Sequence, residues 1–211
     1  MKDKREIRKK RWLWLTLFSI FGAVAVICAF HFDSQVQNWI AHHQTRSAKI
    51  FMRNVSRFGD WPEHVALGFV LIALAYWRGS KKWLRVFAAM ILALVIAGVS
   101  ARTVAIVSGR ARPSVKNESV WNGPHLSSRY NAFPSGHTAA TVAFFATLFF
   151  ASWRLGLACF PIPLLIAASR MYVTAHYLSD VVFAAILGVL CALLSARLLS
   201  AIRNPQPEIA N

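Results

Sequence analysis

Six long apolar segments, separated by shorter polar stretches, run along the whole chain. They lie at about residues 12–30, 63–77, 84–107, 136–153, 155–172 and 178–199. A helix needs about 20 apolar residues to cross the hydrocarbon of a bilayer. Several segments fall short of that length, so flanking polar residues must enter the bundle. The pattern predicts an all-α polytopic membrane protein, in which six transmembrane helices form a single membrane-embedded domain over residues 1–211.

The start of the chain has two possible interpretations. Residues 1–11 are strongly basic and precede the first apolar segment, as they would in a secretory signal peptide. That segment is longer than the apolar part of a typical signal peptide, however. Its small residues Ala23, Ala25 and Ala29 are scattered through it. We therefore expect an uncleaved first helix that follows a basic N-terminus.

Basic residues greatly outnumber acidic ones, and the formal net charge is +16. Such a balance raises the question of nucleic-acid binding. The charges lie at the ends of the apolar segments rather than along a groove, so we expect no nucleic-acid partner.

The same charges indicate the orientation of the chain in the membrane. A cytoplasmic N-terminus would place more than half of the 24 basic residues in the cytoplasm. The positive-inside rule therefore predicts that both termini are cytoplasmic. Residues 204–211 are expected to form a flexible tail.

The stretch from about residue 31 to residue 60 mixes apolar and basic side chains. It contains Trp39, Ile40, Phe51 and Phe58 among arginines, lysines and histidines. Part of it could form an amphipathic helix at the membrane interface, and an ordinary structured loop fits equally well. The residues alone leave both alternatives open.

A cluster of ionisable residues interrupts the apolar sequence between residues 169 and 180. It contains Arg170, His176 and Asp180. Ionisable side chains within membrane segments are costly and usually functional. On a helix, His176 and Asp180 would share one face because they are four residues apart. Asp180 can then hold one ring N–H of His176 and leave the other nitrogen free as a nucleophile.

Two further polar clusters are predicted to lie on the same membrane face, opposite the cytoplasm. In the first, Arg110 and Arg112 could clamp an anion, although arginines at a membrane edge often contact lipid headgroups instead. In the second, Ser135, Gly136 and His137 precede an apolar segment. Ser135 is a plausible N-cap, and a helix N-terminus binds phosphate readily. A capped helix with an interfacial histidine is the plainer alternative.

The three clusters together contain histidines, arginines and a single carboxylate, that of Asp180. Two-metal phosphatases need several carboxylates. We therefore expect phosphoryl transfer without a metal ion and without another cofactor.

These residues resemble the type-2 phosphatidic acid phosphatase superfamily, whose core fold is related to that of vanadium haloperoxidases. The family motif Pro-Ser-Gly-His is present at residues 134–137, and Ser-Arg-x5-His-x3-Asp is present at residues 169–180. The motif Lys-x6-Arg-Pro is incomplete, because Arg112 and Pro113 match while Ala105 occupies the lysine position. Arg110 and Lys116 are alternative donors of the missing charge, and we favour Arg110. The side chain of Arg102 is expected to lean away from the site.

The resemblance implies a hydrolysis in which His176 attacks phosphorus, forms a phosphohistidine and is oriented by Asp180. His137 would protonate the leaving group. The phosphate oxygens would be held by Arg112, Arg170, Ser135 and the Gly136 backbone N–H, with Arg110 as an additional donor. The substrates implied are undecaprenyl pyrophosphate, phosphatidylglycerol phosphate, phosphatidic acid or a lipid A phosphate.

Two alternatives to a phosphatase stay open. A lipid phosphotransferase would use the same phosphohistidine but pass the phosphoryl group to another lipid. A catalytically impaired relative would only bind lipid. The oligomeric state is not predicted by the sequence.

Overall fold

The computed structural model of the chain describes residues 2–115 and 119–203, and most of them are helical. The helices are α1 (Lys2–His43), α2 (Arg46–Arg57), α3 (Trp61–Trp77), α4 (Lys81–Ser108), α5 (Gly136–Ala151), α6 (Trp153–Cys159), α7 (Pro161–Tyr172) and α8 (Leu178–Arg203). A 3-10 turn covers Ser128–Tyr130. Within the described residues, β-type pairing is limited to one bridge between Arg110 and Trp121. The all-α prediction is confirmed. The predicted flexible tail and Lys116 lie outside the described residues.

Each predicted apolar segment corresponds to helix in the structure. The fifth segment is divided into α6 and α7 at Phe160, because Pro161 cannot continue a preceding helix but is well suited to start one. Four stretches are long and apolar enough to cross a membrane: Trp12–His43, Lys81–Ser108, Trp153–Tyr172 and Leu178–Leu198. The pair α2 and α3, bent by 49°, makes a fifth if it is one span.

Helix α5 is the exception to these candidate spans. It has 16 residues, so its length is about 24 Å, less than the roughly 30 Å of the hydrocarbon layer. The structure therefore supports four to five spans by length and composition. The predicted six spans require α5 to cross the bilayer as a short helix.

The stretch between residues 31 and 60 is mostly helical. Helix α1 continues to His43, and α2 follows it after Thr45, whose hydroxyl accepts a hydrogen bond from the Ala48 N–H at 3.3 Å. The side chains of Ile50 and Phe51 on α2 are exposed, whereas Ser56 is buried. The structure thus favours the amphipathic helix over the ordinary loop.

The core lies where α4, α5 and α8 meet, and small side chains line this contact. The buried residues are Ala93, Ala97, Ala101, Ala139, Ala143, Ala184 and Cys191. Small residues let helix backbones approach closely. The closest approach is at Gly188 on α8, where an added Cβ would lie 2.7 Å from the backbone oxygen of Ala139.

This close packing brings four helix ends together at one end of the bundle. Helices α4 and α7 end there, and α5 and α8 begin there. The Ser135 N–H donates to the Asp180 carbonyl at 3.2 Å and so joins the starts of α5 and α8. Gly109, at φ 55°, turns the chain at the end of α4, where an added Cβ would lie 1.6 Å from the Gly123 oxygen. All three polar clusters of the sequence therefore meet in one region.

Candidate active site

A cavity of about 710 Å³ opens at this end of the bundle. Four of the predicted site residues line it: His137, His176, Arg112 and Gly136. Its apolar wall comes from α4 and from the start of α3, through Leu94, Val95, Val99 and Trp61. The cavity thus joins a polar floor to an apolar wall.

His176 lies in the loop between α7 and α8 and is only 2% exposed. Its Nδ1 is 2.7 Å from the carbonyl oxygen of Ala132. A carbonyl can only accept, so Nδ1 carries the proton and Nε2 has a free lone pair. Asp180, the predicted orienting group, is 3.7 Å from the same nitrogen, beyond hydrogen-bond distance. The backbone of Ala132 orients the ring, and Asp180 acts beside it as a charge.

Burial lowers the pKa of His176, and the positive charges of Arg170 and Arg112 lower it further. The neighbouring carboxylate of Asp180 opposes these effects. Removal from water disfavours the charged imidazolium. The neutral ring, which is the nucleophilic form, is therefore favoured at neutral pH.

Arg110 lies outside the cavity and differs from its predicted place. Its Nη2 donates to Asp33 at 2.7 Å, and its Nη1 donates to the hydroxyl of Ser179 and to Asp180. The guanidinium carbon is 5.2, 5.0 and 4.2 Å from the rings of Phe30, Trp121 and Tyr177 respectively. The side chain is 5% exposed. The Nε of Arg110 is buried without a hydrogen-bond partner in the described part of the chain, but Arg110 does not line the cavity and its terminal nitrogens are bound to carboxylates.

Arg112 and Arg170 retain free donors. The Nε atom of each is buried and has no hydrogen-bond partner within the described part of the chain. Arg170 also donates from Nη1 to the hydroxyl of Ser56 on α2. A buried guanidinium N–H without an acceptor is costly. Arg112 lines the cavity, whereas Arg170 does not.

Ser135 is the N-cap of α5, as predicted. Its Oγ accepts from the Thr138 N–H at 3.5 Å and from the Thr138 hydroxyl at 3.0 Å. It is fully buried and does not line the cavity, whereas Gly136 does. An added Cβ on Gly136 would meet no atom within 4 Å, so the first turn of α5 is open towards the cavity.

His137 pairs through Nε2 with a carboxylate oxygen of Asp60. Asp60 is the residue before α3 and lines the same cavity. Sequence reasoning missed Asp60 and also missed Asp33, the partner of Arg110. Both belong to a set of only eight acidic residues and lie beside apolar segments, where an unpaired carboxylate is expensive. That rarity was the signal that could have identified them.

Arg102 also differs from its predicted place, because it lines the cavity together with Ala105. The side-chain amide of Asn131 lies between Arg102 and His125. With this amide oriented to satisfy its hydrogen bonds, the Asn131 Oδ1 accepts from Nη1 of Arg102, and the Asn131 Nδ2 donates to the His125 carbonyl at 3.1 Å. The position of the missing lysine thus faces the cavity as alanine, and Arg102 stands one helical turn away.

Among residues 2–115 and 119–203, no three His, Cys, Asp or Glu side chains are grouped so that they could hold a metal ion. The cavity instead combines two histidines with arginines below an apolar wall. A helical membrane protein with this arrangement has the make-up of a membrane-embedded phosphatase.

Comparisons with known proteins identify the family. A sequence model of the PAP2 superfamily matches residues 82–203, which is more than half of the chain. The chain therefore belongs to the PAP2 superfamily, and the predicted class, a membrane phosphatase of lipid metabolism, is confirmed. No curated protein sequence matches the chain significantly.

Two crystal structures share its fold. LpxE from Aquifex aeolicus aligns with a TM-score of 0.61 and 20% identity, over 79% of this chain and 95% of LpxE. The structure described as the first transmembrane PAP2-type phosphatidylglycerolphosphate phosphatase, from Bacillus subtilis, aligns with a TM-score of 0.68 and 17% identity, over 89% of this chain and 96% of that one.

Proposed function

We propose that this protein hydrolyses a lipid phosphate or pyrophosphate through a phosphohistidine on His176. The observation that carries the proposal is the state of this ring. It is buried, its Nδ1 lies 2.7 Å from the Ala132 carbonyl oxygen, and it lines a cavity together with Arg112 and His137. A fixed, deprotonated nitrogen among positive groups is what attack on a phosphorus atom requires.

The reaction has two steps. Nε2 of His176 forms a bond to phosphorus while the bond from phosphorus to the leaving oxygen breaks, and His137 gives its proton to that oxygen. The leaving oxygen is the ester oxygen of a lipid phosphate or the bridging oxygen of a lipid pyrophosphate. A water molecule then attacks the phosphohistidine and loses a proton to His137. The N–P bond breaks, which releases inorganic phosphate and returns both histidines to their starting states.

The cations at the cavity hold the phosphate. The free Nε–H groups of Arg112 and Arg170 are suited to two of its oxygens. The open first turn of α5 at Gly136 offers backbone N–H groups to a third, with Ser135 supporting that turn. Arg102 faces the cavity next to Ala105 and supplies the positive charge that the missing lysine would give.

The substrate enters with its headgroup at the arginines and its tail along the apolar wall of α4. Undecaprenyl pyrophosphate, phosphatidylglycerol phosphate, phosphatidic acid and lipid A phosphates all combine a phosphate headgroup with an apolar tail.

In the proposed topology six spans alternate in direction, with α5 as a short span and both termini in the cytoplasm of a bacterial-type cell. The site then faces the opposite side of the inner membrane, because it lies at the far end of the bundle from the basic N-terminus.

The test is phosphate release by detergent-purified protein from these four lipid classes in the presence of EDTA. We expect EDTA-resistant release and, with a 32P-labelled lipid, an acid-labile phosphoprotein that His176→Ala does not form. Loss of activity with EDTA would instead show that the reaction requires a metal ion. Transfer of the label to a second lipid would identify the phosphotransferase, and binding without turnover would identify the lipid-binding alternative.

A further inference from the structure

The C-terminal third of α1 carries polar side chains that contact the loop bearing His176. This part of α1 lies outside residues 82–203, the range matched by the family. The Asp33 carboxylate accepts from the Ser179 N–H at 2.8 Å and from the Ser179 hydroxyl at 2.6 Å. Gln37 Nε2 donates to the backbone oxygen of His176 itself at 2.9 Å. Gln44 Nε2 donates to the carbonyl of Tyr172. Asp33 and Gln37, four positions apart, lie on one face of α1 and are here named the α1 stripe, and Gln44 directly follows the end of the helix.

Arg110 connects the α1 stripe to the carboxylate beside the nucleophile. One of its terminal nitrogens binds Asp33 and the other binds Asp180. Asp180 accepts in addition from the Tyr177 N–H at 2.7 Å. The side chains of Asp33, Arg110 and Asp180 are 10%, 5% and 0% exposed. Buried charges of this kind have little freedom to move apart, because each would be left without a partner.

We propose that Asp33, Gln37 and Arg110 are positioning residues, which hold the loop of His176 and the Asp180 carboxylate in the geometry of attack. The inference rests on the proposed function. None of the three lines the cavity, so their effect on substrate binding is small and their effect on turnover is large. Misplacement of a reacting group by about 1 Å can lower a rate about 100-fold.

Changes in the charge of these residues distinguish a positioning role from a merely structural one, because only a positioning role predicts opposite shifts of the pH profile. Two carboxylates and one guanidinium give the group Asp33, Arg110 and Asp180 a net charge of about −1. Asp33→Asn makes that charge about zero, and Arg110→Gln makes it about −2. A less negative neighbourhood disfavours the imidazolium form of His176 and a more negative one favours it. The other groups that face His176 are common to all variants: Arg112, Arg170 and His137.

The experiment measures kcat, KM and the pH profile of phosphate release for Asp33→Asn, Arg110→Gln and the double variant. We expect each single variant to lower kcat about 10- to 100-fold with KM changed less than about threefold. The acid limb of kcat/KM should move to lower pH in Asp33→Asn and to higher pH in Arg110→Gln. In the double variant, where the net charge is again about −1, the limb should return towards its original position.

Gln37→Met tests the same idea without a change of charge. Loss of one hydrogen bond should lower kcat about three- to tenfold and leave the pH profile in place. If a charge variant fails to give a monodisperse gel-filtration peak, Gln37→Met decides the question. Glu6→Gln, an exposed acidic residue on the same helix, is the matched control and should keep full activity.

Two results would overturn the proposal: unchanged kcat in both Asp33→Asn and Gln37→Met, or a fall in kcat with the acid limb of both charge variants unmoved. Failure of the proposed function is a separate result. It would appear as absence of phosphate release from the unmodified protein, before any variant is compared.

Discussion

The two histidines of the cavity are held in very different ways. His176 is almost fully buried, its ring is fixed by the Ala132 carbonyl, and its backbone oxygen is bound by Gln37. The side chain of His137 is 27% exposed, and its recorded ion-pair partner is Asp60, whose side chain is 43% exposed. A nucleophile gains from being fixed, whereas a group that gives up a proton and takes it back must change partners. The difference in surroundings matches the difference in proposed roles.

The largest effect should come from removal of the fixed histidine. His176→Ala deletes the atom that forms the covalent intermediate, so we expect kcat to fall about 10⁴-fold or more. The measurement is phosphate release by folded, detergent-purified protein. Activity within about tenfold of the unmodified protein would assign the nucleophile to another residue.

Removal of the more exposed histidine should have a smaller effect that depends on the substrate. His137→Ala should lower kcat about 10²- to 10⁴-fold on an alkyl phosphate, because the leaving alcohol needs a proton. The leaving group of p-nitrophenyl phosphate needs no proton, so the fall in kcat should be at least about tenfold smaller with this substrate. An equal loss on both substrates would contradict the role of His137 as a general acid. His176→Ala should remain inactive on either one.

The partner of His137 should matter less again. Asp60→Asn removes the charge that pairs with this histidine, and we expect kcat to fall about tenfold. Glu63→Gln, three residues further along in the first turn of α3, is the matched control and should change kcat less than about twofold. Equal effects of the two substitutions would show that general electrostatics, and not the pairing with Asp60, is what counts.

The pH profile tests the surroundings of the buried histidine. Burial lowers the pKa of His176, so its neutral form persists at pH values below the ordinary histidine pKa of about 6.5. After correction for titration of the substrate phosphate, the acid limb of kcat/KM should therefore have its midpoint below about 6.5. A midpoint above this value would mean that the Asp180 charge raises the pKa of His176 more than burial lowers it.

The smallest effect on turnover should come from a substitution in the core where α4, α5 and α8 meet. Gly188→Ala places a methyl group 2.7 Å from the Ala139 oxygen and should destabilise the protein by about 1–3 kcal/mol. Gly98→Ala on α4 meets nothing within 4 Å and is the control. Thermal unfolding in detergent measures both. A lower Tm for Gly98→Ala than for Gly188→Ala would contradict the packing described for α8.

The sequence predicts the helices because long apolar segments dictate them. It also places His137, Arg112 and His176 at one end of the bundle, because each lies next to an end of one of these segments. It could not predict the partners. Asp33 meets Ser179 across 146 positions, and Gln37 meets His176 across 139. No local pattern encodes such a pairing.

The two arginines whose positions differ from the prediction, Arg102 and Arg110, illustrate the same limit. Both lie close to Pro113, and the choice between them depends on the left-handed turn at Gly109. After that turn, Arg110 points away from the cavity towards Asp33, which only the folded chain places beside it. The side chain of Arg102 remains on the cavity face of α4.

The pairing of Asp33 also bears on how the protein is made. A ribosome that adds about 5–20 residues per second takes roughly 7–30 s to travel the 146 residues from Asp33 to Ser179. During that time the first helix has already left the ribosome with a carboxylate whose partners are not yet synthesised. The final packing of α1 must therefore wait until α8 has been made, although α1 is synthesised well before it.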